Sequence, residues 1–340
     1  MRMRLTLIAA VLALAAVPAI ARAANPPEPA FGGPLTGAQE VPAVVTAATG
    51  EGTAVISPDG STVTYIVTYT GLSGAVAAAH IHTGAAGVAG GVILPLVVSA
   101  SPMVGTLTAA NFTASGAITT FAQAVAAIKA GNTYFNLHTA ANGGGEIRGQ
   151  IVAKGNAHFA SLAGFQEVPS VATSATGNGW VLVSTDGSTI TYYVKYSGLS
   201  GAAAAAHIHT GAVGVAGGVI LPLVVSASPM VGTLTTANFT ASGAITTFAE
   251  AVAAIQAGNT YFNIHTAAHP GGELRGQIGV TVAAPATTPA PTAAPTGPAT
   301  STQPVEPASG GSALPAAIGI LAFLTSLALA SRRFAPRRGQ

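Results

Sequence analysis

Cysteine is absent from all 340 residues. That excludes disulfide staples and thiolate metal sites. Charge is nearly as scarce, at 6% of the chain, and the formal excess of +2 hides an uneven distribution. Arg2, Arg4 and Arg22 stand near the start, and Arg332, Arg333, Arg337 and Arg338 at the end. Residues 24–330 hold five basic residues against all ten acidic ones, a balance of −5. No basic stripe is left for a phosphate backbone, so nucleic acid is not an expected partner. A phosphate loop is missing too, since 84–91 has neither the lysine nor the helix that should follow. No serine sits in a nucleophile-elbow setting. No enzymatic activity is expected.

What is present is a duplication. His80-Ile81-His82-Thr83-Gly84 returns 127 residues on as His207-Ile208-His209-Thr210-Gly211. At the same offset Leu35-Thr36-Gly37-Ala38-Gln39-Glu40-Val41-Pro42 matches Leu162-Ala163-Gly164-Phe165-Gln166-Glu167-Val168-Pro169. Tyr134-Phe135-Asn136-Leu137-His138-Thr139 matches Tyr261-Phe262-Asn263-Ile264-His265-Thr266 without a gap. Over 80–122 the copies differ only at Ala86/Val213 and Ala109/Thr236. The period is too long for a solenoid unit and suits a small domain, so the plan is one domain twice, over 33–153 and 160–280. About 120 residues bury enough apolar surface to fold without staples.

Within each unit the pattern is of short strands. Residues 25–34 read as a proline-rich lead-in. Val63, Tyr65, Val67 and Tyr69 alternate with Thr64, Ile66 and Thr68, the mark of a half-buried antiparallel strand with a mostly polar outer face. The run 91–98, broken by Pro95, suits a strand near an edge. Phe121, Val125 and Ile128 share a helical face, and Gly131 stands where a helix stop is expected. Strands over 133–139 and 146–152, joined by a glycine-rich loop, finish the unit. Residues 154–159 leave a short link between the units.

The chain's ends read differently. Residues 1–23 have a basic start, an apolar core and Ala21-Arg22-Ala23 at the cleavage positions, the pattern of a secretory signal peptide. Residues 283–312 are a Pro/Thr/Ala-rich stalk that cannot form a packed core. Residues 313–331 are apolar and long enough to approach a bilayer's thickness. The arginines of 332–340 mark a cytoplasmic tail, with both repeats outside.

Six histidines are the candidate site: His80, His82 and His138 in the first unit, His207, His209 and His265 in the second. Residues two apart on a strand face one way, so each HxH pair presents both rings to one side. Three converging imidazoles suit zinc or copper and leave a fourth position open. The alternative is structural: half-buried histidines whose ring N–H bonds a carbonyl or carboxylate, with Glu146 or Asn136 as partner. Glu146/Arg148 and Glu273/Arg275 read as ion pairs that fix register. Glu40 and Glu167 are expected to satisfy loop backbone donors.

The order of motifs resembles the chordin (CHRD) domain family. It carries Leu-Thr-Gly-Ala-Gln-Glu-Val-Pro, Gly71-Leu72, Ala79-His80-Ile81-His82-Thr83-Gly84, Tyr-Phe-Asn-Leu-His-Thr and Gly145-Glu146-Ile147-Arg148-Gly149-Gln150, and repeats the set in the second half. The resemblance implies an extracellular all-β domain and no defined biochemical activity. The Gly-Leu and HxH run is also similar to copper/zinc superoxide dismutases, whose HxH histidines bind copper on a Greek-key sandwich. That likeness implies His80, His82 and His138, with their second-copy counterparts, as ligands. The chain lacks those enzymes' disulfide cysteines and histidine-rich zinc loop, so dismutase activity is not expected. The expected fold is all-β: two tandem Greek-key-like antiparallel β-sandwich or barrel domains, each with one short helix, plus a C-terminal transmembrane helix. The expected function is a non-catalytic, surface-anchored binding or adhesion module for an extracellular protein or cell-envelope polymer. Copper or zinc binding is the alternative.

Overall fold

A computed structural model describes residues 22–284. The leader up to residue 21, the stalk beyond residue 284, the apolar span 313–331 and the basic tail lie outside the described residues. Among the described residues no helix is long and apolar enough to cross a membrane.

A short strand β1 (Arg22–Ala24) precedes the first repeat, which runs β2 (Glu28–Thr36), β3 (Thr49–Ile56), β4 (Val63–Thr70), β5 (Val76–Thr83), β6 (Val92–Pro95), β7 (Met103–Leu107), α1 (Phe121–Lys129), β8 (Thr133–Thr139) and β9 (Ile147–Gln150). The second repeat follows with β10 (Val152–Ala163), β11 (Thr176–Ser184), β12 (Ile190–Ser197), β13 (Ala203–Thr210), β14 (Val219–Pro222), β15 (Met230–Leu234), α2 (Phe248–Gln256), β16 (Thr260–Thr266), β17 (Leu274–Gln277) and β18 (Val280–Val282).

Each repeat is a sandwich of antiparallel strands. In the first, β7-β4-β3-β2 form one sheet and β6-β5-β8-β9 the other. The neighbours β4–β7 and β5–β8 are not consecutive, so the chain crosses between sheets in the Greek-key manner. The alternation in β4 explains which face is inside. Val63, Tyr65 and Val67 are buried against Ile81, Phe135, Leu137 and Ile147 of the opposite sheet. The helix closes the core with Phe121, Ala124, Val125 and Ile128. Thr120 caps it: its hydroxyl accepts from Gln123 N–H and its own N–H donates to Gln123 Oε1. Of the run 91–98 only Val92–Pro95 is strand, β6, and it lies at the edge that its proline favours.

Three expectations are overturned at the junction of the repeats. The proline-rich lead-in is mostly strand β2, whose backbone serves three neighbours: β3, β9 at Thr36, and β10. The expected link 154–159 lies inside the 12-residue strand β10. Its Val152–Ala157 stretch pairs with β2 and its Gly155–Ala163 stretch with β11, so Gly155–Ala157 is flanked by both. The outer face of β4 is solvated only from Thr68 onward. Ile66 and its counterpart Tyr193 are buried, with Ala30, Val55, Ala157, Trp180 and Leu182, in a second core between the repeats. A polar pattern on a strand indicates water only when no second domain covers it. The β2–β10 pairing joins Glu28 to Ala157, Pro29 to Asn156 and Ala30 to Gly155. At the offset of the duplication, Glu28 corresponds to Gly155 and Ala30 to Ala157. Each residue thus meets its partner's counterpart, so the two copies are joined about a local twofold axis through Pro29 and Asn156.

Candidate metal centre

The site lies on the face of the β5–β8–β9 sheet that points away from the core. Ala79, Ile81, Phe135 and Leu137 point inward. Pleating therefore sends His80, His82, Tyr134, Asn136 and His138 to the other side. The antiparallel register sets His80 opposite Asn136 and His82 opposite Tyr134, with His138 opposite Ala78. Gly84–Gly90 is folded back over this face, and the tightness of the turn has a local cause. Any Cβ at Gly90 would collide with the carbonyl of Thr83. Only glycine lets Gly90 present its carbonyl to His82.

The three histidines of each repeat come together. In the first, ring centroids are 5.4 Å apart for His80–His82, 5.0 Å for His80–His138 and 5.8 Å for His82–His138. In the second they are 5.4, 5.0 and 6.0 Å for His207–His209, His207–His265 and His209–His265. One nitrogen from each ring lies within 4.8 Å of the other two. His82 Nδ1 is 2.9 Å from Gly90 O, and His138 Nδ1 is 3.1 Å from Gly143 O. A carbonyl oxygen only accepts, so both Nδ1 atoms carry the proton and both Nε2 atoms are unprotonated acceptors. In the second repeat Gly217 O and Pro270 O do the same for His209 and His265. Nε2 of His82 and of His209 is buried without any partner among the described residues. His80 Nδ1 stands 3.1 Å from His138 Nε2 and donates to it here. Moving the His80 proton to the solvent side would free that lone pair as well.

Electrostatics keep the trio neutral. Burial, with His138 and His82 beside it, pulls His80 down from 6.5 to about 4, and His207 falls likewise. Burial also lowers His82, His138, His209 and His265. Three neutral imidazoles with oriented lone pairs are ready for a cation without displacing protons. The donor set is nitrogen only, which suits zinc or copper and not calcium or magnesium.

The surroundings differ from what the sequence suggested. Glu146 does not pair with Arg148. It is fully buried and accepts from Thr46 Oγ1 (2.8 Å), Ser73 N (2.8 Å), Ser73 Oγ (2.5 Å) and Thr139 Oγ1 (2.6 Å). Burial pushes its carboxyl up, but these bonds outweigh that and bring it to about 2. Glu273 has the same arrangement with Thr173, Ser200 and Thr266. Neither glutamate is the histidines' partner. Arg148 is buried with its guanidinium 3.5 Å above the Tyr134 ring, which in turn stacks on His82 at 5.0 Å. Arg275, Tyr261 and His209 repeat this column. Glu40 does not satisfy loop donors. One carboxyl oxygen meets Asn136 Nδ2 at 3.4 Å and the other has no partner, as in Glu167 with Asn263. Desolvation, opposed by Arg148 and Asn136, raises Glu40 to about 7. Gly145 lies over that pair because any Cβ there would strike Glu40 and Asn136. The Tyr-x-Asn-x-His alternation puts Tyr134, Asn136 and His138 on one face, and the structure sets that face beside His80 and His82. No sequence signal joins Glu40 to Asn136 across the 96 residues between them.

Comparison with known families gives one match. The model of the CHRD domain matches residues 31–151 and 159–278, which are the two repeats. No curated protein matches the chain, and no solved structure does. The chain belongs to the CHRD-domain family, as a tandem pair.

Proposed function

We propose that this tandem CHRD-domain protein binds one copper or zinc ion in each repeat, through His80, His82 and His138 and through His207, His209 and His265. The observation that carries the reading is the pair of carbonyl-held imidazoles in each trio. Fixing Nδ1–H on a backbone oxygen is how ligand histidines are oriented, and in His82 and His209 it leaves a buried Nε2 lone pair with no partner among the described residues. Buried structural histidines usually have both ring nitrogens engaged, whereas His82 and His209 have only one. A bound ion would supply a Lewis-acidic or redox-active centre with one open position. The residues themselves supply neutral donors, a fixed tautomer and a buried wall. We take the role to be metal binding without turnover, in a module exported by residues 1–23 and held at the cell surface by 313–331. Copper(II) loading of the full chain tests the ligand set. Paramagnetic resonance should show coupling to imidazole nitrogens in two equivalent sites. A spectrum without nitrogen coupling, or one unchanged by His82→Ala with His209→Ala, would overturn the assignment.

A further inference from the structure

The local twofold makes every feature of the joint between repeats appear twice, so a feature present on one side only is informative. On one side the amine of Lys154 plugs the joint. It bonds Glu51, Thr53 Oγ1 (3.1 Å) and the carbonyl of Gly52 (3.4 Å). On the other side, positions matching Lys154, Glu51 and Thr53 are Thr281, Asn178 and Trp180. There the plug is gone and a cleft of about 480 Å³ opens between the repeats. That lies within the range of small-ligand sites, about 300–1,000 Å³.

The walls of this cleft specify a chemistry. Trp180 and Tyr193, both buried, stack with ring centroids 5.6 Å apart as the floor, and half-buried Phe159 lies beside them. The matching residues of the first repeat are Thr53, Ile66 and Gly32, so this aromatic cluster is present on the open side alone. The Trp180 indole N–H is buried and has no acceptor among the described residues, whereas buried tryptophans usually find one. Most of the remaining lining is hydroxyl and amide, including exposed Asn178. The charges are one of each sign, Lys195 and Asp59, and Asp59 is already occupied by Ser57 Oγ (2.6 Å) and Ser61 Oγ (2.8 Å). A partly exposed Phe159 ring on a buried Trp180–Tyr193 floor, facing neutral hydrogen-bonding groups, fits a polyhydroxylated ring, whose C–H face packs on Phe159 while its hydroxyls pair with amides. We infer that the cleft between the repeats binds a neutral oligosaccharide, independently of the metal sites.

The protein carries its own probe, because Trp180 is its single tryptophan. The full chain is titrated with soluble oligomers of N-acetylglucosamine and of glucose, and tryptophan emission is followed. A saturable change with one of them is expected. Asn178→Ala should weaken it about five- to tenfold, the loss of one or two hydrogen bonds to a bound ligand. The double change Asn178→Glu with Thr281→Lys rebuilds the plug of the opposite side from exposed positions, and it should abolish the response while leaving the melting temperature unchanged. No saturable change with either sugar series, or binding that survives the rebuilt plug, would overturn the inference. So would a response to acidic or neutral oligopeptides alone.

Discussion

Glutamine in place of Glu40 and Glu167 should make the protein more stable above neutral pH, although each replacement removes a charge next to a buried arginine. Glu40 and Glu167 are 8% and 7% exposed, and one oxygen of each has no partner. Burial raises both carboxyls from 4.5 to about 7 against the pull of Arg148, Arg275 and the neighbouring asparagines. A folded-state value above the unfolded one means that the fold favours the protonated acid. The stabilising contribution is complete below 4.5 and is lost as pH rises through about 7. A shift of this size is worth at most about 3 kcal/mol per site, and relaxation around an ionised group trims that to about 1–3. Glutamine keeps the shape and the neutral state. The expected gain is therefore about 1–3 kcal/mol per site near pH 8, shrinking to almost nothing near 4.5. Urea unfolding of parent, single and double variants across this range measures it, and the comparison cancels titrations common to all. If glutamine instead costs about 3–5 kcal/mol near pH 8, the loss expected on breaking a buried ion pair, then Glu40 is ionised and paired with Arg148 and the reasoning fails.

Other perturbations have expected sizes of their own. Burial lowers all six site histidines and His158, so their neutral forms contribute stability that is whole above 6.5 and lost as pH falls below it. The metal-free protein with Glu40→Gln and Glu167→Gln, which remove the opposing titration of those carboxyls, should melt progressively lower on acidification from about pH 7 to pH 5, and a flat profile of that variant would contradict the burial of the trios. Glu146→Ala strands four donors in a buried pocket and should cost about 3 kcal/mol or more, whereas an unchanged urea midpoint would mean that water replaces the carboxylate. Trp180→Ala opens a cavity in the core between the repeats and should cost about 3–5 kcal/mol. Glu51→Gln breaks only an ion pair whose glutamate is 46% exposed and should cost less than about 1 kcal/mol.

Much of each repeat was legible because its signals are local. The alternation in β4, the helix stopped at Gly131, the proline-broken edge strand and the shared face of His80 and His82 follow from periodicity within ten or so residues, whereas His138 joins that pair from a strand 58 positions on. What escaped depends on contacts between distant stretches. Nothing in residues 25–34 announces that β2 is the strand on which the two copies join, since Pro29 and Pro34 argue against a shared strand. Ile66 and Tyr193 sit in an otherwise polar alternation, and only the second repeat explains why they are buried. Arg148 and Glu146 lie two apart with opposite charges, yet the start of β9 turns the glutamate to Ser73 and the arginine to Tyr134. Charge complementarity in sequence does not say which neighbour arrives first. The resemblance to CHRD domains gave the boundaries of the family within a few residues, but not the geometry of their union.

The central claim is that each carbonyl-held histidine trio is a metal site, and metal content tests it most directly. The full chain, exposed to copper or zinc and freed of loose ions, is analysed by mass spectrometry for metal per chain. Beside it goes the variant with His80, His82, His207 and His209 changed to alanine. The account predicts about two ions per chain in the parent and none in the variant, one for each three-histidine set. A parent that folds and holds no metal, or a variant that holds as much, would contradict it.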